Sequence, residues 1–415
     1  SRFAYFGRKM RHLPKNVEFT INIMPPVDFQ LKDNLKGKAR RLSVEDKMYD
    51  LMAEMKYKSN KIDSTLFKSF IEATDFAGRG ARALEDMTRK PMSYGKLLIA
   101  SFLLGKKLAD KSDKDEYIGV MLPNMNICAA VLFALISHVR VPAMINFTSG
   151  IKNILDSCKA AKIKSVVTSR MFVERAQLEP IVKALEDKNI RLIYLEDLKI
   201  SIFDKLIAVA QSFFPYQTYK AIDPEQNPNK PAIVLFTSGS EGSPKGVVLS
   251  HRNINANRFQ LSTSLNFDMQ DKFFNALPLF HSFGMVCGFF LPILNSLSIF
   301  LYPSPLHFKI IPELVYDRNA TVFFATDTFL AAYAKMAHRY DFHNIKDIGI
   351  GGEKLKDETF KIWSERFGIR VIEAYGTTEA SPVVTMNSPM YYKRGTVGRP
   401  VPGIVCKLVK IEGMG

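Results

Sequence analysis

Short apolar runs alternate with amphipathic stretches along most of this chain, starting near residue 60. A continuous apolar run such as Tyr117–Leu122 is typical of a strand buried on both faces, whereas Tyr94–Lys107 has helical spacing. This rhythm predicts parallel sheets covered by helices. The predicted strands are Tyr117–Leu122, Val141–Asn146, Ser165–Thr168, Arg191–Leu195, Ala232–Phe236, Ser298–Tyr302, Thr321–Ala325, Asp347–Gly351 and Arg370–Ala374. The predicted helices are Ser64–Phe76, Tyr94–Lys107, Ile127–Ser137 and Asn153–Ala161.

The first 60 residues follow a different pattern. Val17–Met24 predicts a strand, and Ser43–Asp46 predicts the start of a helix that runs to about Tyr57. A polar linker follows. The pattern therefore predicts a boundary near residue 60, with 1–60 as the end of one domain and 61–415 as a second, larger domain.

Composition and charge narrow the function classes only slightly. The chain of 415 residues carries a formal net charge of +16, which would attract an acidic partner, although a plain solvated surface accounts for it equally well. No zinc-finger or RNA-binding signature accompanies the charge. The segment Met285–Tyr302 is apolar, but Pro292 and its polar residues favour a buried helix and a strand over a membrane span. Four scattered cysteines argue against a zinc site or a disulfide framework: Cys128, Cys158, Cys287 and Cys406.

The most informative segment is Leu235–His251, LFTSGSEGSPKGVVLSH, which follows a predicted strand. Its hydroxyls, glycine backbone N–H groups and lysine can surround phosphate oxygens. A Walker A loop does not fit, because Pro244 and Gly246 stand where that motif requires Gly and Ser or Thr. A plain exposed hairpin or flexible loop is the other alternative. The candidate phosphate-binding residues are Thr237, Ser238, Gly239, Ser240, Gly242 and Lys245.

Three further segments carry candidate chemistry. Tyr375–Glu379 supplies an aromatic face, hydroxyls and a carboxylate, which could stack a purine, bond a phosphate and hold Mg²⁺, or could be a simple surface turn. Gly351–Glu353 ends a predicted strand, where glycines allow a flat ligand to approach or the chain merely to turn. In Pro278–Gly284, PLFHSFG, His281 stands beside aromatic residues, where a structural histidine is the more common outcome.

In this order and spacing the segments resemble the motifs of the adenylate-forming enzymes, which use ATP to activate a carboxylic acid. Residues 237–246 match the family pattern [ST]-S-G-[ST]-x-G-x-P-K-G, and Gly395–Gly403 resembles a later family motif. The resemblance implies an α/β fold: two parallel-rich sheets covered by helices, plus a distorted β-barrel subdomain, with the family's small C-terminal domain absent. It also implies ATP and Mg²⁺ as cofactors.

The resemblance assigns a role to each candidate residue. Thr378 would contact the α-phosphate, Glu379 would bind Mg²⁺, and His281 would border the substrate carboxylate. Apolar residues from Pro278–Gly284 and Phe323–Phe329 would line the acyl pocket. The residues that would hold the nucleotide are Thr237, Ser238, Gly239, Ser240, Gly242, Lys245, Gly351, Gly352, Glu353, Tyr375, Gly376 and Thr377.

A closer resemblance is to a bacterial branch of the family that joins an acyl-acyl-carrier-protein synthetase to a lysophospholipid acyltransferase. It rests on Asn275–Arg318, Tyr194–Leu198 and Phe19–Pro26. It implies that 1–60 is the end of a glycerophospholipid acyltransferase domain plus a linker. Residues 61–415 would be the adenylation domain without the mobile C-terminal domain and its catalytic lysine, so slow turnover is expected of this chain.

The expected partners follow from that branch: a fatty acid, acyl carrier protein or CoA, a lysophospholipid reached through the missing acyltransferase domain, and a membrane surface. The expected location is the cytoplasmic face of the bacterial inner membrane, with this fragment itself soluble, and nucleic acid is not expected. One alternative is a long-chain fatty acyl-CoA synthetase, which would share every motif. Another is a non-catalytic lipid- or nucleic-acid-binding protein, which salt-sensitive DNA binding without an ATP response would indicate.

Overall fold

The computed structural model describes residues 21–31, 34–238, 243–407 and 409. The chain divides into two units, Ser1–Asn60 and Lys61–Gly415. In the described part of the first unit the one regular element is helix α1, Gly37–Lys58, and none of its side chains is fully buried.

Two expectations for the first unit need correction. The strand expected at Val17–Met24 is wrong in its described part, because Ile21–Met24 forms no strand and Ile23 is exposed. Alternating apolar residues need a partner strand before they form a stable ladder, and none of the described residues supplies one. Residues 17–20 lie outside the described part. Helix α1 also begins at Gly37, before the expected Ser43, since Lys, Ala and Arg are all good helix formers.

The second unit contains all the strands of the described chain. They are short, apolar and mostly buried, as expected for strands covered on both faces. Their bounds are β1 Arg82–Glu85, β2 Met92–Ser93, β3 Tyr117–Val120, β4 Val141–Met144, β5 Ser165–Thr168, β6 Arg191–Tyr194, β7 Pro231–Ser238, β8 Pro244–Ser250, β9 Lys272–Asn275, β10 Ser298–Leu301, β11 Val322–Ala325, β12 Asp347–Ile350, β13 Val371–Gly376, β14 Val383–Met386 and β15 Arg399–Pro400.

These strands form two sheets. The six-stranded sheet has the order β6-β5-β3-β4-β7-β8 and is parallel except for the antiparallel pair β7-β8. The nine-stranded sheet has the order β15-β14-β13-β12-β11-β9-β10-β1-β2 and is parallel from β13 to β1. The expected fold class, two parallel-rich sheets with helices, is confirmed. At one end of this sheet, β13 pairs with β14 and β14 pairs with β15, both antiparallel.

Helices supply the crossovers that parallel neighbours require. Hydroxyl side chains start several of them: Thr65, Ser93 and Ser250 each accept a hydrogen bond from a backbone N–H of the first turn. The helices are α2 Leu66–Ala77, α3 Tyr94–Ala109, α4 Asn126–Ser137, α5 Ile151–Ala160, α6 Arg170–Arg175, α7 Glu179–Glu186, α8 Ile202–Phe213, α9 Pro215–Ile222, α10 His251–Ser264, α11 Leu291–Leu294, α12 Ile310–Asp317, α13 Asp327–Met336 and α14 Asp357–Arg366, with a π-helix at Phe283–Phe290 and one-turn 3₁₀-helices at Leu195–Asp197 and Thr378–Ala380.

Aromatic side chains form much of the core. The rings of Phe70 on α2 and Phe133 on α4 stack with centroids 4.2 Å apart, and the ring of Phe342 lies 4.6 Å from that of Trp363 on α14. The interpretation of Met285–Tyr302 as a buried helix followed by a strand is confirmed. Across the described residues, no helix has both the length and the apolar content needed to cross a bilayer.

Candidate active site

The candidate phosphate-binding segment forms a hairpin. Strand β7 pairs with β8 so that Thr237 lies opposite Lys245 and Ser238 lies opposite Pro244. The Lys245 side chain and Ser238 are exposed, and Thr237 is half-buried. Three of the candidate residues, Gly239, Ser240 and Gly242, lie at the tip of the hairpin and outside the described residues. The described part thus presents two hydroxyls and one ammonium group at the carboxyl end of β7.

The second segment turns sharply after β13. The Thr377 N–H donates to the Pro382 carbonyl over 2.9 Å, and Ser381 has a left-handed φ of 74°. At Gly376 a Cβ atom would lie 2.1 Å from the Pro382 carbonyl oxygen, so only glycine fits there. This tight turn holds Thr378 half-buried and leaves the Glu379 carboxylate exposed.

A hydrogen bond joins this turn to the histidine-containing segment. The Oγ of Ser282 lies 3.1 Å from the Oγ1 of Thr378, although the two residues are far apart in sequence. Strand β8 of the hairpin contacts the one-turn helix that contains Thr378. Three of the sequence motifs therefore meet at one place, where the hairpin of the six-stranded sheet faces the carboxyl end of β13 in the nine-stranded sheet. Carboxyl ends of parallel strands are the usual location of ligand sites in α/β proteins.

The glycine pair lies beside the same edge. Strands β12 and β13 are parallel neighbours, so Gly351 follows β12 next to the end of β13. A Cβ atom at Gly351 would lie 3.5 Å from the Phe283 ring, and Gly352 has a φ of +79°, which favours glycine. The Glu353 carboxylate accepts hydrogen bonds of 2.8 Å from both the backbone N–H and the Oγ1 of Thr328 on α13. Glu353 thereby satisfies an N–H group of the first turn of α13.

His281 stands at the start of the turn into the π-helix. The residue as a whole is exposed, and its ring packs edge-on against the Phe280 ring, with centroids 4.8 Å apart. Desolvation by the surrounding protein lowers the pKa of His281 below its usual value of 6.5. The imidazole is therefore neutral at pH 7 and can exchange hydrogen bonds without adding positive charge.

An apolar cavity of about 20 Å³ lies beneath the site, about the space of one water molecule. Phe283 and Phe324, one from each segment expected to line an acyl pocket, form part of its wall. Every strand from β11 to β14 contributes to it, and so do α10 and the π-helix. The lining residues are Leu261, Leu265, Phe283, Cys287, Phe324, Asp347, Gly349, Ile350, Ile372, Ala374, Val383 and Met386.

Divalent metal binding would depend on few protein ligands. Within the described ranges no group of three or more His, Cys, Asp and Glu side chains is placed to hold a metal ion. The exposed Glu379 carboxylate beside Thr378 is the acidic group of the turn. Mg²⁺ keeps several water ligands and is often held by one or two carboxylates together with substrate phosphates, so a single carboxylate fits that ion.

Sequence reasoning missed two residues that build the site. Ser282 stands inside the segment PLFHSFG, so its hydroxyl is a visible signal, but the family resemblance assigns a role only to the neighbouring His281. Asn257 on α10 is fully buried and bonds both backbone groups of Val383 on β14, with its Nδ2 2.8 Å from the carbonyl and its Oδ1 3.2 Å from the N–H. A lone asparagine in a polar helix carries no sequence signal of this contact.

Comparison with known proteins agrees with the arrangement. Residues 73–415 match the family model described as AMP-binding enzyme. The chain is 29% identical over 189 residues to a probable 4-coumarate–CoA ligase of Dictyostelium discoideum, covering 44% of this chain and 34% of the relative. It is also 29% identical over 194 residues to a mitochondrial medium-chain acyl-CoA ligase of Mus musculus, covering 44% and 31%. The chain thus spans about a third of the length of these relatives.

Solved structures share the fold. An anthranilate CoA ligase in complex with anthranoyl-AMP superimposes with a TM-score of 0.71 at 17% sequence identity, covering 86% of this chain and 67% of that one. At that identity the likeness concerns the fold alone. With the family model covering most of the chain, and the hairpin, the turn and the histidine segment meeting at one edge, the chain belongs to the AMP-binding, adenylate-forming enzymes.

Proposed function

We propose that the protein uses ATP to convert a fatty acid into an acyl-adenylate and then passes the acyl group to a thiol. The observation that carries the proposal is the Ser282–Thr378 hydrogen bond of 3.1 Å, which unites two motifs beside the phosphate hairpin. In the first step a carboxylate oxygen attacks the α-phosphorus, and the bond to the β-phosphate breaks to release pyrophosphate. In the second step the thiol sulfur attacks the acyl carbon, and AMP leaves.

The chain's own groups would act mainly by positioning and by neutralising charge. Thr237, Ser238 and Lys245 would hold the β- and γ-phosphates, because Thr237 lies opposite Lys245 and Ser238 follows at the end of β7. Thr378 would meet the α-phosphate from a hydroxyl that Ser282 already orients. These groups converge from two sheets, so they could hold the α-phosphorus in line with the leaving pyrophosphate.

Adenine and the substrate carboxylate would occupy neighbouring surfaces. The Tyr375 ring is 52% exposed at the end of β13, which leaves a face open for a purine. Gly351 and Gly352 have no side chains to obstruct that approach. Neutral His281 would exchange a hydrogen bond beside the substrate carboxylate. It would not form an ion pair that stabilises the bound carboxylate before it reacts. Glu379 would hold Mg²⁺, which when bound neutralises phosphate charge.

The acyl chain would enter the apolar cavity beneath the site. Its present volume of about 20 Å³ accommodates no alkyl chain, so binding requires side chains such as Phe283 or Phe324 to move. An almost entirely apolar lining favours a hydrocarbon chain over a polar acid. The printed name of the Mus musculus relative, a medium-chain acyl-CoA ligase, supports a fatty acid as the substrate class.

CoA is the thiol acceptor that the comparisons favour, since both curated relatives described above are named as CoA ligases. Acyl carrier protein is the second candidate. A net charge of +16 would suit an acidic carrier, and the sequence resembles the bifunctional acyl-acyl-carrier-protein synthetase / 2-acylglycerophosphoethanolamine acyltransferase. In that case residues 1–60 would end an acyltransferase domain, and the product would reacylate a lysophospholipid at the cytoplasmic face of a bacterial inner membrane.

The test titrates a non-hydrolysable acyl-adenylate mimic into the parent and into Tyr375→Ala while the melting temperature is measured. A ligand that binds only the native state raises this temperature. Tyr340→Ala is the matched control, because Tyr340 is 53% exposed, much like Tyr375. A shift in the parent and the control that is lost in Tyr375→Ala supports the proposal, and an equal shift in all three overturns the assigned pocket. Incubation with ATP, a fatty acid and either CoA or acyl carrier protein then identifies the acceptor.

A further inference from the structure

Helix α8, Ile202–Phe213, turns its large apolar side chains toward solvent. Phe203 is 72% exposed and Leu206 is 60% exposed. The two residues that it buries are small, Ala208 and Ser212. We call the exposed set the α8 apolar face; its members are Ile202, Phe203, Leu206, Ile207, Phe213 and the following Phe214. A surface helix ordinarily buries its apolar side, whereas α8 exposes its large apolar side chains and buries small residues.

Polar contacts fix the helix in this orientation. Ser201 and Asp204 form a capping box, and the Asp204 carboxylate also lies 2.8 Å from the Nζ of Lys107 on α3. At the other end the Arg79 guanidinium donates to the Ser212 carbonyl over 2.5 Å and to its Oγ over 2.7 Å. The inward side is therefore satisfied by hydrogen bonds and an ion pair, and rotating the helix would break them. These contacts therefore hold the apolar side of α8 toward solvent.

Basic side chains lie on and beside this face. Lys199, Lys205 and Lys220 are exposed on and beside α8 and α9. The Arg79 guanidinium lies 5.2 Å from the centre of the exposed Phe213 ring. Of the acidic groups nearby, Asp204 pairs with Lys107 and Asp75 accepts a hydrogen bond of 2.8 Å from the Tyr216 hydroxyl. Glu72 also lies close to Tyr216.

We propose that the α8 apolar face inserts into the interfacial region of a lipid bilayer that contains anionic lipids. A helix lying in that region requires an apolar face with lysine or arginine at its borders, and α8 has both. A stable protein pair usually buries about 800 Å² and 20–30 residues on each side, which is more than the face of one three-turn helix offers. The proposal goes beyond the acyl-activating reaction and does not depend on it.

The experiment measures sedimentation of the whole chain with vesicles of phosphatidylcholine alone and with added phosphatidylglycerol. The test variant is Phe203→Glu with Leu206→Glu. The control variant is Met171→Glu with Met336→Glu, which changes the net charge equally at two other exposed apolar positions. We expect the parent and control to bind anionic vesicles, and the test variant to bind them at least tenfold more weakly. Melting temperatures close to the parent's would show that both variants are folded.

Equal vesicle binding by the parent and the test variant would overturn the proposal. So would an equal loss in the test and control variants, because it would show a response to net charge alone. A parent dimer that the test variant abolishes, without any difference in vesicle binding, would make the face a contact between two copies of this chain. None of these measurements requires ATP, so a failed proposal for the catalytic site would leave this result unaffected.

Discussion

The Ser282 hydroxyl links two motifs that the sequence shows only as separate segments. Its hydrogen bond with Thr378 is half-buried, and both groups lie next to exposed positions that can contact ligand. A hydroxyl pair of this kind fixes the rotamer of Thr378 before the nucleotide arrives. Pre-orientation of one donor is worth about one hydrogen bond, roughly 1 kcal/mol.

We expect Ser282→Ala to weaken binding of the acyl-adenylate mimic by about fivefold, which corresponds to roughly 1 kcal/mol. The melting temperature without ligand should change little, because the side chain is small and partly exposed. Calorimetric titration would measure the change. Ser364→Ala is the control, because Ser364 on α14 is half-buried like Ser282 and lies outside the site. Unchanged affinity in Ser282→Ala would show that Thr378 needs no orienting partner.

Gly376 shows how strictly the turn after β13 is packed. A methyl group there would overlap the Pro382 carbonyl, which is backbone and cannot move aside as a side chain can. We expect Gly376→Ala to reduce stability by at least ~2 kcal/mol and to abolish mimic binding, since the turn that holds Thr378 would shift. Gly80→Ala, where a Cβ atom meets nothing within 4 Å, should leave both properties intact. Urea titration and the thermal-shift assay measure the two effects.

Individual site residues could be predicted where they belong to a recognisable sequence motif. The segments at Thr237, Thr378 and Gly351 were found because small, hydroxylic or glycine residues cluster there after predicted strands. Their assigned ligand roles stay predictions. The involvement of Glu353 in the first turn of α13 was not predictable, because a carboxylate gives no sign in sequence of whether it faces ligand or a neighbouring helix.

At the scale of elements, α10 fixes the position of β14. The buried Asn257 side chain bonds both the N–H and the carbonyl of Val383, replacing the partners that a further strand would provide. Removing one side chain would leave two buried backbone groups unsatisfied, and each costs about 1–3 kcal/mol. The antiparallel end of the nine-stranded sheet therefore depends on a helix side chain.

We expect Asn257→Ala to lower the free energy of unfolding by about 2–4 kcal/mol, mostly from the two unsatisfied backbone groups. Urea unfolding followed by circular dichroism would measure it. Asn229→Ala, at an exposed loop asparagine, should change the value by less than about 0.5 kcal/mol. A loss no larger than that of the control would mean that water replaces the amide without cost.

Elements were predictable where burial on both faces leaves a continuous apolar run. All nine strands expected after residue 60 form at the expected places, with ends that differ by at most two residues. Six strands were not predicted: β1, β2, β8, β9, β14 and β15. A run as short as Met92–Ser93 is too brief to carry a period. The strand at Val17–Met24 was expected from local pattern alone and found no partner in the described chain.

At the scale of the whole molecule, two buried histidines make stability depend on pH. Burial lowers the pKa of His251 to about 4, and burial together with Arg140 lowers that of His138 to about 4. Between about pH 6.5 and 4 the unfolded chain binds protons at these rings and the folded chain does not. Their contribution to stability is therefore present above pH 6.5 and is lost as the pH falls toward 4.

We expect the melting temperature of the parent to fall between pH 7.5 and pH 5, and to fall less in His251→Gln. The difference between the two pH values is the quantity compared, so a general loss of stability in the variant does not affect the result. His343→Gln, at an exposed histidine, should show the same fall as the parent. An equal fall in His251→Gln would show that His251 does not contribute to the pH dependence.

The order of strands in the nine-stranded sheet has a consequence for synthesis on the ribosome. Strand β1 pairs with β10, so Leu84 cannot pair until Ile299, about 200 residues further along the chain, has been synthesised. At about 5–20 residues per second this interval lasts roughly 10 to 40 s, and one apolar edge of β1 stays uncovered throughout. The nascent chain thus offers an early binding site to chaperones. Nucleotide cannot assist its folding until the residues around Thr378 have emerged.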